Sequence, residues 1–251
     1  MDVQLYQFPI SHYCEKARWA LDYKRLPHTV HNLVPGLHRR TTTRLGQGTS
    51  VPLLLAGEQG AQGSTEIITL LDELVTEKQL TPADASRRGE AMAWEQWLDG
   101  ELGIDVRLVC YFTLLEHPAI VRRYFSVGEP WWGGLFLRFG YRKLAAMMRE
   151  RMNINPAAYD KALERIDAAL DRLEAAYAER DYLVGQVFTR ADLTAAALCG
   201  PLIQPAGYGM EWGELPEPLA GVCQRLSPRL EWARRLYRDH RQSSSAHSAQ
   251  P

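Results

Sequence analysis

No run of apolar residues in this chain approaches the roughly 20 that a helix needs to cross a bilayer. Its start, Met1-Asp2-Val3-Gln4, has no basic segment leading into an apolar one. Both absences lead us to expect a cytoplasmic protein with no membrane partner. Charge of either sign is not in excess: 29 Lys and Arg stand against 30 Asp and Glu, a formal charge of -1. A phosphate backbone held by counterion release needs a positive field, so a dedicated nucleic-acid binder is excluded. Cysteine is scarce, and Cys14, Cys110, Cys199 and Cys223 contain no pair at the spacing of a zinc knuckle or a dithiol redox site. No His-x-x-x-His places two imidazoles on one helical face, so no metal is expected.

What is present is an ordinary globular mix, 251 residues with 46% hydrophobic, 24% charged and 10% aromatic positions. That length suits two modest domains. Val3 and Leu5 alternate with polar neighbours up to Phe8-Pro9, which reads as a strand over 3–8. From Tyr13 to Lys24 the apolar spacing becomes helical. Thr29–Leu33 and Val51–Leu55 read as further strands, with Pro-Gly and Gly-rich loops between; Pro52 opens the latter because it cannot donate to a ladder. Ser64 then precedes Ile67, Ile68, Leu70, Leu71 and Leu74, a helix with its amide-rich start beside Gly63-Ser64. A small α/β unit is expected over residues 1–80.

Beyond Thr81-Pro82 the chain reads as an all-helical bundle over 86–241. Asn155-Pro156 opens a helix whose Tyr159, Leu163, Ile166, Leu170, Leu173 and Tyr177 recur at gaps of four and three. Thr189-Arg190-Ala191-Asp192 resembles a capping box. Residues 128–141 are too aromatic and glycine-broken for a regular solvated helix, and the Ser-rich tail 242–251 reads as disordered.

Three stretches of the first unit carry a resemblance. Phe8-Pro9-Ile10-Ser11-His12-Tyr13-Cys14 lies at a strand-to-helix turn, Thr49-Ser50-Val51-Pro52-Leu53-Leu54 opens a strand, and Gly63-Ser64-Thr65-Glu66-Ile67-Ile68 begins a helix. Together with Tyr182-Leu183-Val184-Gly185 before Thr189 and Asp192, they resemble the glutathione transferase family. That family joins a thioredoxin-like domain, which binds glutathione, to an all-helical domain with a second-substrate pocket. The resemblance implies a homodimer, a small-molecule electrophile as partner, glutathione as co-substrate, and a detoxifying conjugation reaction. It places Ser11 at the catalytic position, and His38 or Arg39, Val51, Pro52, Ser64 and Thr65 around glutathione. Tyr111, Phe112, Tyr124 and Trp131 are the aromatic candidates for the second-substrate pocket, against a packing role for each. Cys14 keeps open a thiol-exchange chemistry.

The chemistry is consistent. A thiol with a pKa near 8.5 is only about 3% thiolate at pH 7, and a downward shift of about two units raises that to roughly three-quarters. A hydroxyl donor at Ser11 and the positive end of the following helix act in that direction. One position departs from the family pattern: Gly63 stands where an acidic residue meets the glutathione ammonium. Glu66 or a group from a second subunit would have to replace it, or the chain is a non-catalytic interaction module.

Overall fold

The computed structural model describes residues 1–45, 48–127, 131–241 and 247–248, with the side chains of 131–136 and 247–248 outside the description. The chain begins as β1 (Val3–Gln7), α1 (His12–Tyr23), β2 (Thr29–Asn32), α2 (His38–Arg44), β3 (Leu53–Ala56), β4 (Gln59–Gln62) and α3 (Ser64–Leu74). β2 lies parallel to β1 on one side, and β3 antiparallel to it on the other, followed by β4. Of the tail, only His247–Ser248 are described; they pair parallel with β2 as β5, a strand where disorder was expected, and the rest lies outside the described residues.

Two elements here have no counterpart in the sequence pattern. α2 is a Thr- and Arg-rich segment with one buried side chain, Thr42, so no apolar period marks it. β4 is an edge strand of sequence Gln-Gly-Ala-Gln in which only Ala61 is buried. It is held by backbone pairing with β3 and by the Gln62 amide donating to the Ser50 carbonyl at 2.5 Å.

The rest is helical: α4 (Ala85–Trp97), a π turn over Leu98–Leu102, α5 (Gly103–Leu114), α6 (Pro118–Phe125), α7 (Trp131–Arg151), α8 (Pro156–Glu179), α9 (Arg190–Ile203), α10 (Leu219–Leu226), a 3-10 turn over Ser227–Leu230 and α11 (Glu231–His240). Asn155 caps α8 by accepting from the Ala158 N–H at 3.0 Å. At α9, Thr189 and Asp192 form the expected capping box. α7 corrects the expectation for 128–141, because regular helix runs from Trp131. Leu137, Tyr141, Ala145 and Met148 are buried at helical spacing, and that stripe outweighs a glycine penalty of about 1 kcal/mol at each of Gly133, Gly134 and Gly140. No described helix is long and apolar enough to cross a membrane.

α9 lies at the centre, buried continuously from Arg190 to Leu202. α1 packs against it and is itself buried on almost every side, although it carries Glu15, Lys16, Arg18 and Asp22. Those charges are tolerated because each is paired. Lys16 Nζ reaches Glu95 at 3.1 Å and Asp99 at 2.7 Å, and Arg190 Nε reaches the other Glu95 oxygen at 2.5 Å. Arg190 also donates to the Thr65 carbonyl at 2.9 Å and to the Thr69 and Thr81 hydroxyls. Burial pushes the Glu95 carboxyl up, but Lys16 and Arg190 more than offset this and hold it below the usual glutamate range. One carboxylate therefore joins α1, α3, α4 and α9. Replacing it strands Arg190, so Glu95→Ala should cost about 3–5 kcal/mol. In a thermal melt the midpoint should fall by roughly 10 °C; a fall under about 2 °C would show that the pairing is dispensable.

Candidate functional site

The turn after β1 is closed by the Ser11 N–H donating to the Phe8 carbonyl at 3.1 Å. Ser11 then adopts extended angles (φ -72°, ψ 123°) and caps α1, its Oγ accepting from the Cys14 N–H at 3.4 Å. The same hydroxyl also bonds the Cys14 thiol, so a ligand in the cavity would have to compete for its proton. The side chain is half-buried and faces a cavity of about 300 Å³ between the sheet-containing part and the helices. His38, Val51 and Tyr111 line the same cavity. Cys14 does not: it is fully buried, its Sγ accepting from the Phe8 N–H at 3.5 Å. Burial pushes its thiol up, and the nearby Arg18 and the two hydrogen bonds only partly offset this.

The neighbours in the turn are fixed from the helical side. Tyr13 donates its hydroxyl to the Asp99 carbonyl at 2.7 Å, within the π turn, and the ring is seated against Gly103, where a Cβ would meet the hydroxyl at 2.6 Å. Burial, with the opposing effect of Arg107 and a further push from Asp99, takes its phenol up to about 12. His12 is buried; desolvation, with Arg107 and Lys16 nearby, lowers its imidazole to about 3. Its Nε2 has no hydrogen-bond partner.

The Val51–Pro52 peptide is cis, and the Pro52 carbonyl accepts from the Gly63 N–H at 2.9 Å, tying this segment to the start of α3. Ser64 is the first residue of α3 and is buried; neither it nor Thr65 lines the cavity. The Thr65 hydroxyl is taken up in the ionic cluster, bonding Glu95 at 3.1 Å and Asp99 at 3.0 Å, so its backbone N–H is what it can offer a ligand. Gly63 has φ +103°, and Glu66 folds back so that its Oε2 fills the space a Cβ on Gly63 would need. A side chain at 63 would be strained by that φ, and a carboxylate is supplied there from one turn along α3.

His38 accepts from the Gly36 N–H at 3.1 Å through Nδ1 and meets the Phe8 ring edge-on. Burial and the neighbouring Arg39 lower its imidazole, partly offset by a hydrogen bond to Thr49. With Nδ1 accepting, the ring proton lies on Nε2, and the Thr49 backbone engages it. Arg39 is exposed and does not line the cavity.

Among the aromatic candidates whose side chains are described, only Tyr111 faces the cavity. Phe112 instead stacks on Tyr159 of α8 at 4.2 Å. Tyr124 is buried with its hydroxyl accepting from the Gly213 N–H at 3.2 Å. The Trp131 side chain lies outside the described residues. The walls are completed by Phe8 of the turn and by residues that no motif flags, among them Arg107, Leu114, Phe125, Leu144, Met148 and Trp212.

Residues 5–79 match the family model described as the glutathione S-transferase N-terminal domain, and residues 137–203 match that of its C-terminal domain. Among solved structures, the chain is similar to a glutathione S-transferase from Rhodospirillum rubrum (18% identity, 94% of this chain and 87% of that one, TM-score 0.61). It is also similar to the β-etherase LigF from Sphingobium (20% identity, 94% and 95%, TM-score 0.64) and to FzlA from C. crescentus (21% identity, 99% and 97%, TM-score 0.56). No curated protein matches the chain.

A neutral His12 in the fold has a consequence for acid stability. Its folded pKa lies below the unfolded value near 6.5, so the unfolded chain takes up the proton first and stability falls as pH drops through that value. Relative to His12→Gln, the native sequence should lose roughly 1.5 kcal/mol more between pH 6.5 and pH 5. Denaturant unfolding of both proteins across that range checks it; parallel curves would mean that His12 takes up its proton in the fold as readily as in the unfolded chain.

Proposed function

Because the chain belongs to the glutathione S-transferase family, we propose that it binds glutathione against the sheet-containing part, ionises its thiol beside Ser11, and adds the thiolate to an electrophile held against the helices. The observation that carries this reading is that the cap hydroxyl of α1 lines the cavity, while Cys14 is sealed three residues on. Ser11 would donate to the glutathione sulfur, and the first turn of α1 would add its positive end. The thiol proton leaves to solvent; the sulfur forms a bond to the electrophilic carbon, and the displaced group departs with the bonding pair or the adduct takes up a proton.

Val51, preceding the cis proline, would pair its backbone with the cysteinyl amide as an added strand does. The α3 N-terminus, through Ser64 and the Thr65 N–H, suits the γ-glutamyl carboxylate, and His38, which lines the cavity, stands for the glycyl carboxylate. Glu66 supplies the acidic group that Gly63 lacks, opposite the ammonium. This removes the main reason for preferring a non-catalytic interaction module, and the raised thiol of Cys14 weighs against a thiol exchanger. A cytoplasmic homodimer remains part of the proposal by analogy with the family.

Titrating glutathione into the protein at neutral pH and following the thiolate absorbance tests the reading. A saturable band is expected, reduced about tenfold or more in Ser11→Ala and retained in Cys14→Ala. No band, together with no calorimetric binding, would turn the reading toward an interaction module. Glu66→Gln should weaken glutathione binding about tenfold by removing a charged partner of a partly buried ammonium; unchanged affinity would place the ammonium elsewhere.

A further inference from the structure

The polar inventory of the cavity is one-sided. Among the described residues no carboxylate lines it, whereas two guanidiniums do: Arg151 at the exposed mouth and Arg107 farther in on α5. Interior arginines elsewhere in the fold are paired, Arg18 with Glu15, Arg190 with Glu95, and Arg241 with Glu15 and Asp22. Arg107 makes no ion pair and no hydrogen bond among the described residues, and its Nε is closed off from solvent without an acceptor. The nearest acid in sequence, Asp105, is engaged by Arg165 from α8 at 2.8 Å. The Arg107 guanidinium instead sits 5.9 Å from the centre of the Tyr13 ring.

Two more groups that line the cavity are in the same condition. Trp212 Nε1 and His12 Nε2 are buried and have no hydrogen-bond partner. Indole N–H can only donate, a guanidinium can only donate, and a neutral imidazole can present its proton on Nε2. Donors gathered in a largely apolar space, with no acceptor among them, match a ligand whose polar end is rich in acceptors and negatively charged. The surrounding Tyr111, Leu114, Phe125 and Leu144 match a hydrocarbon or aromatic body.

We propose that Arg107 is the specificity residue of this pocket, and that the electrophile it takes is an apolar molecule bearing a carboxylate, whose anionic end pairs with Arg107 while Trp212 and His12 supply further hydrogen bonds. The proposal rests on the cavity being the second-substrate pocket of a transferase. Arg107 lies on the helical side among apolar walls, away from the α3 N-terminus that suits the glutathione carboxylate, so the anion it awaits belongs to the other substrate. A planar fork suits a carboxylate in two-point contact, which a lysine does not reproduce.

The test uses a matched, unreactive pair, 4-phenylbutyrate and 4-phenylbutyramide, titrated calorimetrically into the protein without glutathione. The carboxylate should bind about tenfold tighter than the amide, the size of a charge-assisted contact. Arg107→Met should bring the two affinities within about twofold of each other, and Arg107→Lys should keep an intermediate preference. Equal binding of the pair to the native protein, no binding of either, or a preference that survives Arg107→Met each overturns the proposal; the first two need no variant to fold. The glutathione thiolate band reports separately on the activity. A carboxylate preference without that band would remove the transferase reading and leave Arg107 as the anion-recognising residue, whereas the band without the preference would overturn the inference alone.

Discussion

A single carboxylate, that of Glu95, sits where four helices meet, and the geometry of the candidate site depends on it. Lys16 brings α1 to it, Arg190 brings α9, and Arg190 in turn holds the first turn of α3 through the Thr65 carbonyl. The helix whose start presents Ser11 and the helix whose start presents Ser64 are therefore tied to one ionic cluster as well as packed against each other. Buried ion pairs are a poor way to gain stability, because desolvation offsets much of the attraction. Their use here is positional: a hydrophobic replacement could fill the space, but it would not dictate which face of α1 turns toward the sheet.

The opposite side of α1 carries the same logic. Arg18 is held between Glu15, the Gln7 side chain and the Pro9 carbonyl at 3.1 Å, and Arg241, following α11, closes over Glu15 and Asp22. Tyr208 donates to the Ile10 carbonyl at 2.9 Å while its ring faces Arg18. The backbone of the turn just before Ser11 is thus gripped from the helical part as well as from the sheet. A cap hydroxyl on a loosely held turn would sample many positions; this one is confined by contacts on both sides.

Much of this arrangement is legible in the sequence, for reasons that differ by element. The strand-to-helix turn at Phe8–Cys14 shows because a change from period two to period 3.6 is a local signal, and the Asn155 and Thr189 caps show because a side chain within three residues completes them. α2 and β4 stay hidden because each buries a single side chain, Thr42 and Ala61, which leaves no apolar period to read. α7 is hidden behind its glycines, whose cost is local, while the compensating burial of Tyr141 and Met148 comes from distant partners. The cavity walls are the least legible of all. Phe112 and Tyr111 are adjacent, and which of them faces the cavity follows from how α5 is rotated against α8, which composition does not record. No motif marks Arg107, and that it has no ion pair among the described residues follows from how the helices pack around α5.

The contrast between Ser11 and Cys14 bears on how a thiol can be ionised here at all. Both lie in the first turn of α1, so the field of the helix end acts on each, and Cys14 also receives a backbone N–H and lies near Arg18. Even so, burial wins and the Cys14 thiol is raised rather than lowered. A helix terminus is therefore not sufficient to activate sulfur inside this fold. The Ser11 hydroxyl bonds Cys14 as well and does not reverse this. A glutathione sulfur placed at the cavity would differ from Cys14 in meeting a half-open space in place of a sealed one, where the same hydrogen bond, which favours the anion over the neutral thiol, meets a smaller burial penalty. The unpaired charge of Arg107 in the same cavity acts in the same direction, so the group that would select an anionic substrate also lowers the cost of holding a thiolate beside it.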